Sequence, residues 1–473
     1  MTECSGAQLE FHGLGRRAVI AQFDGGHISS DGGALLLREV EQRTGILARM
    51  AEQFTDFRDP ELIEHSVETL VAQRVLGLAL GYEDLNDHDR LRFDALLALA
   101  CGKRDPSGQD RRHERDKGKA LASSSTLNRL ELTLAQVAED ERYKKIAADT
   151  EGLDALLLAL FFEAYDTAPK EIWIDLDATD DPLHGEQEGR FFHGYYDNYC
   201  YLPLYIFVDE HPLCARLRKA DSDASDGSVA ELARIVPVIR EHWPQTKIRI
   251  RGDSGFCREE IMAWCEAHRV DYVLGLAKNK RLDALSATAR LQAQLQYLRT
   301  EETTRVFEQF QYSTLETWSR ERRVIVKAEH FAYGANPRYV VTSLSADEAD
   351  PRTLYEAIYC ARGDMENRIK EQQLDLFADR TSTHTMRANQ LRLYLSTFAY
   401  VLLRTLRRLG LQDTDLADAQ CGTIRTRLLK FGAQIRISVR RVRIAFSESF
   451  PAQAIFVQAL RHLQQVPIRA APA

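Results

Sequence analysis

The segment Glu171–Asp181 reads Glu-Ile-Trp-Ile-Asp-Leu-Asp-Ala-Thr-Asp-Asp. Its apolar residues alternate with Trp173, Asp175 and Asp177, and this period of two predicts a strand with one buried face. The opposite face ends in two carboxylates that no residue of the strand neutralises. Because an unpaired buried carboxylate is costly, the pair predicts contact with solvent, a cationic side chain or a metal ion.

Another carboxylate ends a second predicted strand. The segment Lys247–Phe256 reads Lys-Ile-Arg-Ile-Arg-Gly-Asp-Ser-Gly-Phe, with Asp253 where the strand enters a glycine-containing turn. A helix over residues 258–269 and a strand over residues 272–276 follow. In open α/β sheets ligands collect at the carboxyl ends of strands, so Asp253 is predicted to lie at a functional edge.

Between these two segments, the pattern predicts a meander and a helix. Tyr201–Val208 and Leu213–Arg218 are apolar strands separated by a turn, so they continue from the opening strand as a three-stranded meander. Ser228–Trp243 has a helical pattern that includes Pro237. Strands that alternate with helices in this way predict an α/β core.

A further carboxylate lies on a helix predicted over Arg352–Phe377. Apolar residues at spacings of three and four form a core-facing stripe. A second, polar stripe lies about 100° away and consists of Tyr359, Arg362, Glu366, Lys370 and Gln373. Because this stripe adjoins the buried one, its single carboxylate is predicted to face a site rather than bulk water.

Asp177, Asp253 and Glu366 together suit a site for two divalent cations that catalyses phosphoryl transfer. Such cations prefer hard oxygen ligands. Two of them about 4 Å apart hold the attacking and the leaving oxygen of a displacement at phosphorus. The alternative is that each acidic residue is a solvated cap at the end of its strand or helix.

Composition limits the class of protein. The chain has 473 residues, 44% apolar and 28% charged, with a formal net charge of -8, so it can build more than one core without an overall positive charge. From Leu391 to Ala473, however, 13 Lys/Arg residues stand against 4 Asp/Glu. The eight cysteines lack zinc-site spacing and no apolar run is long enough for a membrane helix, which predicts a cytoplasmic protein with reduced thiols and no membrane partner.

Two regions depart from the α/β pattern. Residues 1–165 are predicted to be mainly helical, and residues 303–343 form β-rich segments with polar alternation that read as a separate insertion.

The acidic patch Asp84–Asp89 is either a weak metal site or, as its turn-like composition favours, a solvated loop and helix cap. Arginines in Ile435–Phe446 form a strand-like run that either binds an anionic partner or is a solvated face.

Three motifs, in order along the chain, resemble the signature regions of bacterial insertion-sequence transposases of the DDE class. They are Asp177-Ala178-Thr179, Asp253-Ser254-Gly255-Phe256 and Tyr359-x-x-Arg362-x-x-x-Glu366. More narrowly, the chain is similar to the branch with a Tyr-Arg-Glu-Lys helix motif, and within it to the insertion-sequence family numbered thirteen-eighty. Gly185-x-Gln187-Glu188-Gly189, the residues after Arg362 and the C-terminal run 425–451 are similar too, so the resemblance covers most of the chain.

The resemblance implies an RNase H-like core, a mixed sheet with flanking helices that is interrupted by a β-rich insertion and preceded by a helical N-terminal domain. The implied domains are a DNA-binding and dimer-supporting region at 1–165, the two parts of the core at 166–300 and 346–410, the insertion at 301–345, and a basic C-terminal segment at 411–473.

For the site, the resemblance implies that Asp177, Asp253 and Glu366 are catalytic and bind two Mg²⁺ ions, with Mn²⁺ able to substitute. Asp175 is the rival for the first ligand because it lies on the same strand face as Asp177. Asp177 is favoured, since it precedes the Ala-Thr pair and lies nearer the end of the strand.

DNA contacts are implied as well, and the residues that would make them are Tyr359, Arg362, Lys370, Trp318, Arg436, Arg440 and Arg441. One position departs from the family's pattern: the lysine expected seven residues after the glutamate is Gln373. Lys370, one turn after Glu366, could take over its phosphate contact. Trp318, between two predicted strands of the insertion, either stacks near a flipped base or packs in a core.

By the same resemblance, the chain is a DNA transposase that acts on double-stranded DNA, both the terminal inverted repeats of a transposon and the target. Cleavage leaves a 3′-OH, which attacks phosphate first in the opposite strand, forming a hairpin, and later in target DNA. A homodimer assembled on DNA at the bacterial nucleoid is implied. The alternatives are an RNase H-fold nuclease without strand transfer, an inactive DNA-binding derivative, and a helical scaffold with incidental acids.

Overall fold

The computed structural model describes residues 8–138 and 140–469. The chain divides into two compact units. The first, which we call the terminal unit, comprises residues 1–150, 374–378 and 394–473, and the second, the sheet unit, comprises residues 151–373 and 379–393. Residues 1–7 of the region predicted to be helical lie outside the described residues.

The elements follow in chain order. The strands are β1 (Leu9–Leu14), β2 (Arg17–Ala21), β3 (His27–Ser29), β4 (Phe54–Asp56), β5 (Ile146–Ala148), β6 (Glu171–Ala178), β7 (Asp181–Pro182), β8 (Phe191–His193), β9 (Asn198–Tyr201), β10 (Leu204–Val208), β11 (His211–Arg216), β12 (Lys247–Gly252), β13 (Asp271–Leu276), β14 (Thr304–Tyr312), β15 (Arg322–Phe331), β16 (Gly334–Ala335), β17 (Arg338–Thr342), β18 (Ala433–Ile437) and β19 (Val442–Phe446). The α-helices are α1 (Ala34–Thr44), α2 (Ile46–Ala51), α3 (Val67–Ala79), α4 (His88–Leu91), α5 (Ala95–Ala100), α6 (Ser124–Glu131), α7 (Thr150–Phe162), α8 (Ser228–His242), α9 (Glu259–Ala267), α10 (Lys280–Leu285), α11 (Ala287–Thr300), α12 (Pro351–Thr353), α13 (Gly363–Lys370), α14 (Met386–Gly410), α15 (Cys421–Ile424) and α16 (Gln453–Gln465).

A mixed sheet forms the centre of the sheet unit. Its strands lie in the order β11-β10-β6-β12-β13-β17-β15-β14, and β16 pairs with β15. The pairs β6–β12 and β12–β13 are parallel, whereas the other neighbours are antiparallel. The predicted α/β class and the meander of β6, β10 and β11 are therefore confirmed.

The β-rich region is continuous with this sheet rather than a sheet of its own. Strand β17 pairs with β13, and β15 and β14 follow it outward. Along β14 exposed residues interrupt half-buried ones, which is the pattern of an edge strand with one face in solvent. These strands therefore extend the sheet, and that residues 301–345 are an insertion into the core stays a prediction.

The two faces of the sheet bury different residues, because side chains of a strand point alternately to opposite sides. Ile172, Ile174 and Leu176 of β6 pack in a core with apolar residues of α8 and α9. Trp173 packs on the other face, against a cluster that includes Leu354. The aspartates of β6 share this second face, so they point towards the segment that begins at Leu354.

The segment predicted as one helix over Arg352–Phe377 is helical but irregular. After α12 it forms a π-helix over Leu354–Tyr359, a 3-10 turn over Cys360–Arg362, then α13, and a second π-helix over Glu371–Asp375. A π turn widens the helix and rotates the residues after it, and such turns are common at functional sites. The simple stripe predicted from α-helical spacing is therefore interrupted.

The terminal unit brings the two ends of the chain together. The Nζ of Lys430 lies 2.6 Å from Oδ1 of the buried Asp31, and the hydroxyl of Tyr82 donates to Oδ2 at 2.7 Å. Gly33 donates its N–H to the carbonyl of Leu429, and a Cβ at Gly33 would lie only 2.3 Å from the Leu429 Cα. Helix α1 begins at Ala34, directly after Gly33.

The N-terminal region is less helical than predicted. Strands β1 and β2 form an antiparallel hairpin, and β3 joins a sheet with β18 and β19. All residues of the hairpin are exposed. Because neither strand has a buried face, the sequence lacks the alternation of apolar and polar residues that would have predicted them. None of the described helices is long and apolar enough to cross a membrane.

Candidate active site

The register of the sheet brings two of the predicted carboxylates side by side. In the parallel pair β6–β12, Leu176 lies opposite Gly252. One residue further along each strand, Asp177 and Asp253 therefore lie at the carboxyl ends of adjacent strands, which are spaced about 4.8 Å apart. Asp253 also caps the turn that follows, since its Oδ1 accepts a hydrogen bond from the N–H of Gly255 at 2.8 Å.

The irregular helix brings the third carboxylate to the same place. Arg362 donates from Nη1 to Oδ2 of Asp177 at 3.3 Å and from Nη2 to Oε1 of Glu366 at 2.6 Å. The side chains of Asp177 and Arg362 are each 14% exposed, and that of Glu366 is 43% exposed. One guanidinium thus bridges the strand carboxylate and the helix carboxylate at the edge of the unit.

The electrostatics of Asp177 link all three acids. Burial raises the pKa of Asp177 to about 7, Arg362 opposes the rise, and the negative charges of Asp253 and Glu366 add to it. A buried carboxylate with like charges beside it holds its proton more tightly than in water. Strongly shifted groups of this kind are frequent in catalytic sites.

The other aspartate on this face of β6 is already paired. Asp175 accepts from Nε of Arg251 at 2.7 Å and from Nη2 at 2.8 Å, and the two side chains are 4% and 10% exposed. Burial raises the pKa of Asp175 to about 6, against the effect of Arg251. Arg251 also donates to the carbonyl of Ile358 at 3.0 Å, which ties β12 to the first π-helix.

Comparison with known proteins decides the family. A profile described as "Transposase DDE domain group 1" matches residues 11–468. The chain belongs to the DDE transposase family. It is therefore a DDE-type transposase, as the three motifs predict, while the narrower insertion-sequence family stays a prediction.

No curated protein sequence matches the transposase. Among solved structures it is similar to a chain of the "Cryo-EM structure of piggyBac transposase synaptic complex with hairpin DNA", with a TM-score of 0.40, 9% sequence identity, and coverage of 93% of this chain and 86% of that chain.

Tyr359 of the transposase approaches the backbone beside Asp253. A Cβ built on Gly275 of β13 would lie 2.5 Å from the Tyr359 hydroxyl and 2.9 Å from the Ser254 nitrogen. Burial raises the pKa of Tyr359, Arg362 lowers it and Asp253 raises it further. The absence of a side chain at Gly275 is therefore what allows this tyrosine to lie against the turn of Asp253.

We expect Gly275→Ala to lower the cleavage activity of the transposase at least about tenfold, because a displacement of about 1 Å at the reacting groups can cost a hundredfold. The new methyl group must displace both the Tyr359 hydroxyl and the backbone at Ser254. Cleavage of a labelled DNA duplex measures the effect, and circular dichroism checks the fold. Gly363→Ala is the matched control, because a Cβ there meets nothing within 4 Å. Equal activity of the two variants would contradict this account.

A buried acid that the sequence interpretation missed as a candidate lies shortly after β6. Asp181 is fully buried, and burial raises its pKa well above the usual range. The side-chain amide of Gln373 donates to Oδ1 of Asp181 at 3.0 Å and to the carbonyl of Asp180 at 3.1 Å. Gln373 therefore fastens the second π-helix to the residues after β6, whereas Lys370 on α13 is exposed. The adjacent acids at the end of the opening segment were the available signal.

Two other predicted DNA-contacting regions belong to elements that carry none of the three acids. The Trp318 ring is half-buried, packs edge-on against Tyr312 with centroids 5.4 Å apart, and lies under the guanidinium of Arg322. The C-terminal run predicted as one strand is instead the hairpin β18–β19, which turns at Ser438–Arg441. Arg436 and Arg443 face each other across this hairpin. Both are exposed, and so are Arg440 and Arg441 of the turn.

The charges of Asp253 and Glu366 act on Asp177, but the three carboxylates are not arranged as the ligands of a metal ion. Within residues 8–138 and 140–469, no group of three His, Cys, Asp or Glu side chains could hold a metal ion as the side chains stand. The guanidinium of Arg362 occupies the space between Asp177 and Glu366.

The acidic patch at residues 84–89 serves as caps. Asp84 accepts from the N–H of Asn86, and Asp89 accepts from the N–H and hydroxyl of Ser124 at the start of α6. Capping of this kind satisfies backbone donors at a helix start. The alternative of a solvated loop and helix cap, rather than a metal site, is the one that these contacts support.

Proposed function

We propose that this transposase cuts DNA at transposon ends and joins them to target DNA at the site formed by Asp177, Asp253 and Glu366. The observation that carries the proposal is that Asp253 follows β12 beside Asp177 of the parallel strand β6, while Arg362 joins Asp177 to Glu366 of the helix. We further propose that they hold two Mg²⁺ ions, with Mn²⁺ able to substitute. Asp177 is preferred to Asp175 as the first ligand because both oxygens of Asp175 are engaged by Arg251.

The donor set suits divalent cations chemically. All three groups offer carboxylate oxygens, the ligands that Mg²⁺ and Mn²⁺ prefer. Burial first, and then the negative charges of Asp253 and Glu366, raise the pKa of Asp177, and a bound cation would offset these charges. Bound divalent ions would supply the Lewis acidity that activates the attacking oxygen and stabilises the leaving oxygen.

Arg362 and Tyr359 would act on the DNA itself. The guanidinium already neutralises Asp177 and Glu366, so cation binding there would free it to form a two-pronged contact with a phosphate. The Tyr359 hydroxyl, beside the turn of Asp253, would donate to a phosphate oxygen. Lys370 is exposed on the same helix and would add a charge contact further along the strand.

We propose that the core is RNase H-like. The order β11-β10-β6-β12-β13 supports this assignment, since a three-stranded meander is extended by two strands parallel to its first member. Trp318 would remain a candidate for stacking on a displaced base, although its contacts with Tyr312 and Arg322 suit packing equally. Hairpin intermediates and a homodimer assembled on DNA are part of the same proposal and rest on the family resemblance.

The exposed hairpin arginines should bind DNA phosphates. We expect Arg436→Ala/Arg440→Ala/Arg441→Ala to reduce the slope of log K against log salt by about 2.7, that is, about 0.9 for each lost phosphate contact. Fluorescence anisotropy on labelled duplex DNA measures this slope. Arg461→Ala, an exposed arginine outside the hairpin, is the control. A triple variant with an unchanged slope would identify the hairpin as a solvated face.

The alternative function is a nuclease that cuts DNA without joining it. A plasmid target and a labelled duplex with a free 3′-OH, incubated with Mg²⁺, separate the two functions. Joined products that vanish with Asp253→Ala would support transposition. If wild-type protein cuts but never joins DNA, the nuclease is correct, and if Asp253→Ala keeps cutting, the site assignment is wrong.

A further inference from the structure

Two contacts join the irregular helix to β6 and the residues that follow it, one on each side of Glu366. On the first side, Arg362 donates to Oδ2 of Asp177 at 3.3 Å. On the second side, the side-chain amide of Gln373 donates to Oδ1 of Asp181 at 3.0 Å. Glu366 lies four residues after Arg362 and seven residues before Gln373, so the two contacts together limit the movement of the segment that carries this carboxylate.

The acceptors of the second contact are held by strand pairing. Asp181 begins β7, where it lies opposite Tyr201 of β9. Asn198, also of β9, donates from Nδ2 to Oδ2 of Asp180 at 3.0 Å, and the carbonyl of Asp180 accepts from Gln373 at 3.1 Å. We call the two hydrogen bonds of Gln373, to Asp180 and Asp181, the glutamine latch. Because its acceptors lie in or beside a paired strand, the latch fastens the helix to a hydrogen-bonded part of the sheet unit.

Asp181 takes part in the latch as a neutral group. Its side chain is fully buried, and within the described part of the chain its Oδ2 has no hydrogen-bond partner and no cationic side chain pairs with it. Burial raises the pKa of Asp181 well above the usual range, Gln373 lowers it, and the negative charges of Asp379 and Asp180 raise it further. Because an unpaired buried carboxylate is costly in its ionised form, Asp181 holds a proton at neutral pH, unlike a metal ligand.

The contact of Arg362 is the one that cation binding would change. Its guanidinium lies between Asp177 and Glu366, and under the proposed function divalent cations would take that place. The hydrogen bonds of the glutamine latch involve none of the three proposed ligands, so they can persist when cations bind. The latch would therefore still hold the helix to the end of β6 in the state in which Glu366 is a ligand.

We propose that Gln373 and Asp181 are positioning residues, which keep Glu366 in place to bind a divalent cation once Arg362 is displaced. The inference rests on the proposed function, because it assumes that Glu366 is a cation ligand. Where the family's pattern has a lysine that contacts phosphate, Gln373 is uncharged and its amide is engaged by protein acceptors. Groups that orient a metal ligand from outside are worth about 10–100-fold in metal affinity, which sets the size of the expected effect.

The test compares full-length Gln373→Met with full-length Gln390→Met, which removes the two hydrogen bonds of another buried glutamine in the sheet unit. Calorimetric titration with Mg²⁺ should show an affinity about 10–100-fold lower for Gln373→Met and unchanged for Gln390→Met. With chelator present, amide hydrogen exchange over residues 363–370 should be at least about threefold faster in Gln373→Met than in the control. Asp181→Asn keeps a neutral group with an acceptor oxygen, so it should match wild type in both measurements.

Equal Mg²⁺ affinities of Gln373→Met and Gln390→Met would overturn the inference. A loss of Mg²⁺ affinity in Asp181→Asn would overturn it too, because Asp181 would then be a cation ligand. If Gln373→Met does not fold, Asp181→Leu/Gln373→Met removes both partners, leaves no unpaired carboxyl and carries the same expectation. Failure of the proposed function looks different: wild-type protein then binds no Mg²⁺, or Asp253→Ala still cuts DNA, while hydrogen exchange over residues 363–370 still decides whether the latch holds the helix.

Discussion

Asp177→Asn should abolish DNA cleavage and joining while making the metal-free protein more stable. Under the proposed function Asp177 is a cation ligand, and its loss would remove several kcal/mol of transition-state stabilisation, about 10³-fold in rate. The gain in stability follows from the pKa of Asp177, which rises from an ordinary 3.8 to about 7 in the fold. The neutral amide avoids the ionised form that the folded site disfavours.

The sign of this effect depends on pH. Between about pH 4 and pH 7 the folded protein holds a proton on Asp177 that the unfolded chain releases, so the contribution of this group to the free energy of unfolding falls as pH rises. Three pKa units correspond to at most about 4 kcal/mol. Because the amide cannot pair with Arg362 as a carboxylate does, we expect a gain of about 1–3 kcal/mol at about pH 8 and little difference below about pH 4.

Urea denaturation in the presence of chelator, at both pH values, measures the change in the free energy of unfolding. Asp347→Asn makes the same substitution at an exposed position of the sheet unit and should leave stability and activity unchanged. An Asp177→Asn protein that is less stable at the higher pH, or that still cuts DNA, would refute the assignment.

The same proton should compete with the divalent cation. Since a ligand carboxylate must be ionised to bind metal, we expect the affinity for Mg²⁺ to fall about tenfold for each pH unit below about 7. Calorimetric titration of the wild-type protein with Mg²⁺ measures this slope. In Asp177→Asn the dependence should be absent, and an equally steep slope in both proteins would locate the titrating group elsewhere.

Local patterns predicted the parts of the site that depend on one segment at a time. The alternation around Asp177 and the strand-to-turn change at Asp253 were readable because a strand shows its buried face every second residue. The pairing of Asp175 with Arg251 could not be predicted in this way, since it depends on the register of β6 against β12. A shift of one residue would turn either side chain to the other face.

Features that depend on distant contacts could not be predicted at all. The terminal unit joins Asp31 to Lys430, almost 400 residues apart, and neither residue carries a local sign of the other. The π-helices at Leu354–Tyr359 and Glu371–Asp375 also have no sequence period of their own. They alter the order of the polar stripe, which is why Gln373 faces the buried Asp181 while Lys370 is exposed.

Asp175→Asn should act in the opposite direction on stability to Asp177→Asn, although the two residues lie on the same face of one strand. The substitution leaves Arg251 charged, 10% exposed and without its two-pronged partner. Asp177→Asn leaves Arg362 paired with Glu366, whereas Asp175→Asn removes the carboxylate that holds two nitrogens of the buried Arg251. Breaking a buried ion pair by removing one member costs about 3–5 kcal/mol, which outweighs the gain expected from removing a carboxylate whose pKa burial raises. Because Arg251 also holds the carbonyl of Ile358, the π-helix that leads to Tyr359 should loosen as well.

A double-mutant cycle separates the loss of the pair from the loss of either side chain. Arg251→Met alone should be destabilising because it leaves Asp175 unpaired, whereas Asp175→Asn/Arg251→Met removes both charges and should recover most of the stability. Urea denaturation at about pH 8, where Asp175 is ionised in view of its pKa of about 6, gives the four free energies of unfolding. Additive losses would show that the pair contributes nothing as a pair. If Asp175→Asn instead kept full stability and lost all cleavage, Asp175 rather than Asp177 would be the catalytic residue of β6.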